Sequence, residues 1–131
     1  MPNASPADDV VDYLIAQGTV EGATGWKAFV NEMPAEPDQI VGVFEAGGGP
    51  PETRIDMNRP AVQIRVRAGR HDWPAARAKI KAVFDLLHKF SGALTGTYYV
   101  AIIAAGDVIP LGLDANDRPE LAQTYSMMRS R

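Results

Sequence analysis

Near the middle of the chain the hydrophobic period changes once, and that change limits what the chain can fold into. Over residues 61–67 apolar and polar side chains alternate. Val62, Ile64 and Val66 fall on one side, and Gln63, Arg65 and Arg67 on the other. A two-residue period is the pattern of a strand with one dry face and one wet face. From Trp73 onward the period is helical: Ala76, Ile80, Val83, Leu87 and Phe90 form one stripe, with Arg77, Lys81, Asp85 and His88 opposite. Asp72 stands where an N-cap belongs, and Pro74 sits in the first turn, where a missing N–H costs little. A strand and a helix that are each apolar on one side must cover one another, and more sheet must complete the layer.

The flanking segments supply it. Ser5, Pro6 and Asp8 read as a helix start, and Val10, Val11, Leu14 and Ile15 continue it as an apolar stripe that Gly18 ends, so a short helix is predicted over 6–17. Trp26, Ala28 and Val30 share one face of a strand over 26–30, which Pro34 and Pro37 break. A second strand follows over 39–46 and runs into Gly47, Gly48, Gly49, Pro50 and Pro51. After the central helix, Ser91 and Gly92 read as its end, and Thr95 and Gly96 as a turn. Residues 97–105 are apolar on both sides, which predicts a strand in mid-sheet with cover on each face. Pro110 cuts Val108 and Ile109 short, and residues 111–119 read as a polar corner. Residues 120–128 alternate again, a closing strand predicted to pair antiparallel with 97–105 because the link is short and lacks a crossover helix. The sum is a single α+β domain over residues 1–131. It has a mostly antiparallel sheet of about five strands, one main amphipathic helix packed on it, and a short N-terminal helix.

The chemical inventory is thin. The chain has no cysteine and two histidines. His88 falls on the charged side of its helix, and the neighbouring pair His71 and Asp72 has its acid committed to capping. No serine stands in a nucleophile-elbow context. The glycine run is followed by two prolines and Glu52 rather than by the lysine and hydroxyl of a phosphate loop. Asp114, Asn116 and Asp117 lack the spacing of a calcium loop; Asp114 and Arg118 read instead as an ion pair pinning a corner that also contains Gly112, a pair worth little if exposed. No catalytic, cofactor or metal site is expected. No apolar run is long enough to cross a bilayer, and the acidic amino end lacks the order of a secretion signal. A soluble protein made in the cytoplasm is the expectation.

Charge says more. The net charge is −3, but residues 1–53 hold nine acids and one base, whereas residues 54–131 hold seven acids and twelve bases. Two solvated faces of one domain would suffice to explain this. The sharper reading is a head-to-tail contact between copies, with Asp8, Asp9, Asp12, Glu45 and Glu52 of one meeting Arg54, Arg59, Arg65, Arg67 and Arg70 of the next. The long Gly/Pro loop at about 47–59 is expected to be mobile in a lone subunit and ordered by a neighbour. Arg65, Arg67 and Arg70 could track phosphates, but no aromatic side chains interleave with them on that strand for base stacking, so only non-specific contact with DNA is expected.

Three segments together resemble a known family. Met33 and Pro34 followed by Pro37, Asp38 and a strand are similar to the first signature of the tailed-phage minor capsid and tail terminator (tail completion) proteins. Residues 60–67 before a helix resemble their central strand, and Leu111, Gly112, Leu113 and Asp114 with Arg118 resemble their closing corner. The resemblance implies a small α+β subunit of the virion, made in the bacterial host and assembling with itself into a ring, usually a hexamer. Such a ring sits on the head-proximal end of the tail tube, stops tube polymerisation and meets a head–tail connector protein, with DNA passing through the lumen. It implies no enzymatic activity. The alternatives are another head–tail connector (adaptor or stopper) and a small cytosolic ligand-binding or enzymatic α+β domain, because fold alone does not decide function.

Overall fold

Residues 5–47, 57–94 and 96–130 are described by the structure, a computed structural model. Helix α1 (Pro6–Ala16) starts as its sequence dictates. Ser5 Oγ accepts the Asp8 N–H at 3.1 Å, Pro6 takes the first turn, and Gly18 beyond the end is left-handed. Strands β1 (Lys27–Val30), β2 (Ile40–Glu45), β3 (Met57–Asn58) and β4 (Ala61–Arg67) precede helix α2 (Trp73–Leu87). Strands β5 (Phe90–Leu94), β6 (Thr97–Ala104), β7 (Ile109–Leu113) and β8 (Pro119–Ser130) follow it. Asp72 caps α2 by accepting the Ala75 N–H at 3.2 Å, and Ala76, Ile80, Val83 and Leu87 are buried as their spacing predicts. Each large aliphatic among them contributes roughly 1.5–3 kcal/mol by leaving water.

All eight strands form one sheet, with the path β1-β2-β4-β8-β6-β5 and with β3 and β7 on β8. Among the described residues only β1 and β2 run parallel; the remaining pairs are antiparallel. β3 and β4 keep one register on β8, with Met57 opposite Ser130 and Ala61 opposite Ser126. They are one strand interrupted at Arg59 and Pro60, where the proline has no N–H to give. On the other side of β8, β6 and β7 lie end to end.

Three expectations change here. Phe90 does not extend the α2 stripe, because the chain turns at Lys89 (φ +66) and residues 90–94 form β5, a strand where the sequence suggests the end of the helix. A strand also occupies part of the predicted polar corner. Pro110 fits within β7 because β7 pairs only with β8, so its missing N–H interrupts no second ladder. Finally, β6 is covered on one face only: Tyr98, Val100 and Ile103 are exposed.

Helix α2 packs on β4, β8 and β6, in the middle of the sheet, whereas α1 touches β1 and β2 at one end of the strand order and β5 at the other. The sheet therefore curls around both helices, and α1 is wedged between its two edges. Val41, Val43, Val62, Ile64, Val66, Ile102, Leu121 and Tyr125 build the core with the buried sides of the helices. The β1 edge is closed by Glu21. Its N–H donates to the Trp26 carbonyl at 2.6 Å, and its carboxylate accepts the Ala28 N–H at 2.9 Å. That Ala28 N–H holds the Glu21 carboxyl below the usual carboxylate range. A strand cannot add where these groups are already bonded.

On the convex side, the crossover joining β1 to β2 folds back over the sheet. A Cβ on Gly42 would stand 2.8 Å from Phe44 Cε1 and 2.9 Å from Met33 Cγ. Gly42→Ala is expected to destabilise the fold by about 1–3 kcal/mol through overpacking. An unshifted denaturation midpoint would show that Met33 yields without loss.

Candidate assembly surface

Arg65 projects from β4 on the convex side, half-buried. Its guanidinium lies 4.7 Å from the Phe44 ring centroid, and its Nε donates to Gln63 Oε1 at 2.7 Å. Both contacts hold the side chain along the sheet surface rather than extended into solvent. Arg59, at the break between β3 and β4, is exposed and borders a shallow groove of about 380 Å³ with Ala101, Ile103, Ser126 and Met128. Asp8 and Asp12 are exposed on α1, and Glu45 is exposed at the end of β2. Arg70, after β4, pairs with Asp117 at 3.2 Å, with both side chains largely in water. Arg54 and Glu52, with most of the loop at 47–59, lie outside the described residues.

Two predicted surface residues are instead buried. Asp9 is 0 % exposed: the Tyr99 hydroxyl donates to its Oδ2 at 2.5 Å, and Arg129 Nη1 stands 3.6 Å away. Burial raises the Asp9 carboxyl above its ordinary range, although the Tyr99 hydrogen bond and the Arg129 charge oppose the shift. A helix lying on a surface buries one stripe, but α1 is wedged between two sheet edges and buries a second, which takes in Asp9 and turns Tyr13 against Phe90 at 5.0 Å. Arg67 points to the convex side, as the alternation requires, but the β1–β2 crossover covers it and leaves it 4 % exposed. It donates to the carbonyls of Pro34 at 2.7 Å, Pro37 at 2.6 Å and Asp38 at 3.2 Å.

The corner pair forms, and it is largely buried. Asp114 Oδ1 accepts the N–H groups of Asn116 and Arg118, each at 2.9 Å, and Oδ2 accepts Arg118 Nε at 2.8 Å. Desolvation pushes the Asp114 carboxyl up, but these donors outweigh it and leave it below the usual range. Arg118, 5 % exposed, also donates to the Ala35 carbonyl at 2.7 Å and to Asp38 at 3.1 Å. Gly112 enters the corner at φ +94, a backbone setting that few side chains tolerate. The three segments that carry the family resemblance thus meet at one place, where Arg67 and Arg118 clamp residues 34–38 over the sheet.

His88 does not extend freely into solvent. Its Nδ1 accepts the Ala104 N–H at 3.0 Å, and its ring stacks on Phe84 at 4.7 Å, so it ties α2 to β6. Among the described residues, no three acids or histidines converge as metal ligands. A groove of about 500 Å³ between α2 and the β6–β7 link has the apolar floor Ile80, Phe84, Val108 and Leu121. Its polar residues are Arg77, Lys81, Asp107 and Gln123, and Gln123 already donates to the Gly106 carbonyl at 3.0 Å. A second exposed feature is apolar: Tyr98, Val100 and Ile103 on β6, and Ile109, Leu111 and Leu113 on β7. Open apolar strands with arginines beside them suit contact with another protein better than chemistry.

A model of the family described as bacteriophage tail terminator protein matches residues 13–129. The chain belongs to that family. Tail terminators are structural virion proteins, so contact with other head or tail components follows from membership. The terminator fold here is similar to a chain from the virion of a native gene transfer agent particle. The TM-score is 0.70 at 12% identity, over 98% of this chain and 100% of that one. A comparison with curated proteins gives no match. Among the described residues of this terminator, no helix is long and apolar enough to cross a membrane.

Proposed function

We propose that this terminator-family chain closes the head-proximal end of a tail tube as a ring of identical subunits. The ring ends tube growth and presents the surface that meets the head. The observation that carries this reading is the family match over residues 13–129. The surface is in keeping with it: exposed acids on α1, an exposed Arg59 and a half-buried Arg65 beside an apolar sheet face, and a β1 edge closed against strand addition. The partners are further copies of the chain, the tail-tube protein and a head–tail connector protein, with DNA passing through the lumen without sequence recognition.

Two measurements test the reading. Added to polymerising tail-tube protein, the chain should cap tubes, and electron micrographs should show shorter tubes as its concentration rises. A length distribution that ignores the chain overturns the terminating role. Light scattering should give a mass several times the 14.1 kDa of one chain at low salt, falling as salt screens the contacts between copies. A mass of one chain throughout overturns the ring.

A further inference from the structure

We infer that the convex face formed by β4, β8 and β6 is the seat for helix α1 of a second copy of this chain. The inference rests on the ring reading and deepens it by naming both halves of the contact. Asp8, Asp12 and Ile15 stand at i, i+4 and i+7, so they form one line along α1. All three are exposed, and Ile15, at 43 % exposure, is the one large exposed apolar side chain among the described residues that does not lie on β6 or β7. Its spacing alone would assign it to the buried stripe. An isoleucine left in water beside two acids asks for a partner that is apolar with basic residues at its side.

The convex face offers that combination. Register places Ile103 opposite Ser126 and Ala101 opposite Met128, so all four share this side of the sheet, and Ile103 is 40 % exposed. Arg65 on β4 and Arg59 beside Met128 supply positive charge along the same surface. Within one subunit the two surfaces cannot meet, because α1 is on the concave side between the sheet edges and the arginines are on the convex side of the middle strands. Bringing the two surfaces together therefore takes another copy. The two patches are different, so the contact is head-to-tail, the kind that closes into a ring. Ile15 and Ile103 supply the dry centre, and the acid–arginine pairs fix direction and register. Asp8 and Asp12 lie before residue 13, where the family match begins, whereas Ile15, Arg59, Arg65 and Ile103 lie within it.

The chain has no cysteine, which makes the contact testable by directed cross-linking. A variant carrying both Ile15→Cys and Ile103→Cys, oxidised at low salt, should give a ladder of disulfide-linked species from dimer upward. Each single variant should stay a monomer on a non-reducing gel, because a head-to-tail contact never brings two copies of one position together. Dimers from a single variant mean a two-fold contact and overturn the inference. An oligomer by light scattering that gives no ladder overturns this seat but leaves the ring standing. Neither oligomer nor ladder overturns the ring reading as well. Charge exchange gives a second readout. Asp12→Arg and Arg65→Glu should each weaken association about tenfold, and the two together should restore most of it. A double variant as weak as either single one shows that these residues do not face each other.

Discussion

Arg129→Met is expected to lower the unfolding free energy by roughly 3–5 kcal/mol, because it leaves an uncompensated carboxylate in the core. Arg129 is 8 % exposed, and its Nη1 stands 3.6 Å from Asp9 and 3.3 Å from the Tyr99 hydroxyl. Its Nε donates to Asn58 Oδ1 at 3.2 Å, so the same side chain joins α1, β6, β8 and the short strand β3. Adding Asp9→Asn to this background should return part of the loss, because no charge is then buried. The pH dependence follows from burial, which raises the folded-state pKa of Asp9 above its ordinary 3.8. Between the ordinary value and the raised one the folded chain binds more protons than the unfolded chain, so this group's contribution to stability falls as pH rises through that window and is level above it. Asp9→Asn alone removes that slope. Its stability relative to the natural chain should therefore increase with pH across the window. Denaturant titrations from pH 4 to pH 8 on the three variants read all of this. A loss below about 1 kcal/mol for Arg129→Met would mean that Asp9 is neutral or wet in the folded chain.

Features decided by neighbours along the chain are legible in the sequence itself. The caps at Ser5 and Asp72 and the α2 stripe depend on spacings of a few residues, and apart from Phe90 each stands where the pattern puts it. What depends on distant chain is not legible. Alternation assigns Arg65 and Arg67 to one side of β4 correctly, but it carries no information about the crossover that covers Arg67 and leaves Arg65 half-open. The burial of Asp9 escapes the pattern because the wedge geometry of α1 needs the whole sheet order. The apolar run of β6 cannot tell a face covered by its own chain from one left open, and a proline in β7 argues against a strand whose free side is unknown. Asp8, Asp12 and Arg65 are visible as candidates from charge alone, whereas Ile15 is hidden by its own good helical spacing. Its exposure appears only once α1 has been placed.

The clamp on the crossover gives the second large effect. Arg67→Met should cost about 3 kcal/mol, because it takes the donor from three carbonyls, at 2.7 Å, 2.6 Å and 3.2 Å, each roughly 1–3 kcal/mol when left unmet away from water. Arg67→Lys should recover little, since an ammonium is a point charge that cannot span the carbonyls of Pro34, Pro37 and Asp38 as a planar guanidinium does. Burial, and then the charge of nearby Arg118, lowers the pKa of Arg67, so the two cations repel while holding the same segment. Arg118 grips that segment through Ala35 and Asp38, which makes the arginines two fasteners of one strap rather than independent contacts. Once either lets residues 34–38 go, the other has less to hold. A double-mutant cycle with Arg118→Met should therefore show a combined loss smaller than the sum of the two single losses, by more than about 0.5 kcal/mol. Strict additivity would mean that the crossover stays on the sheet without either arginine, and that Met33 packed against Phe44 and Gly42 is enough to hold it there.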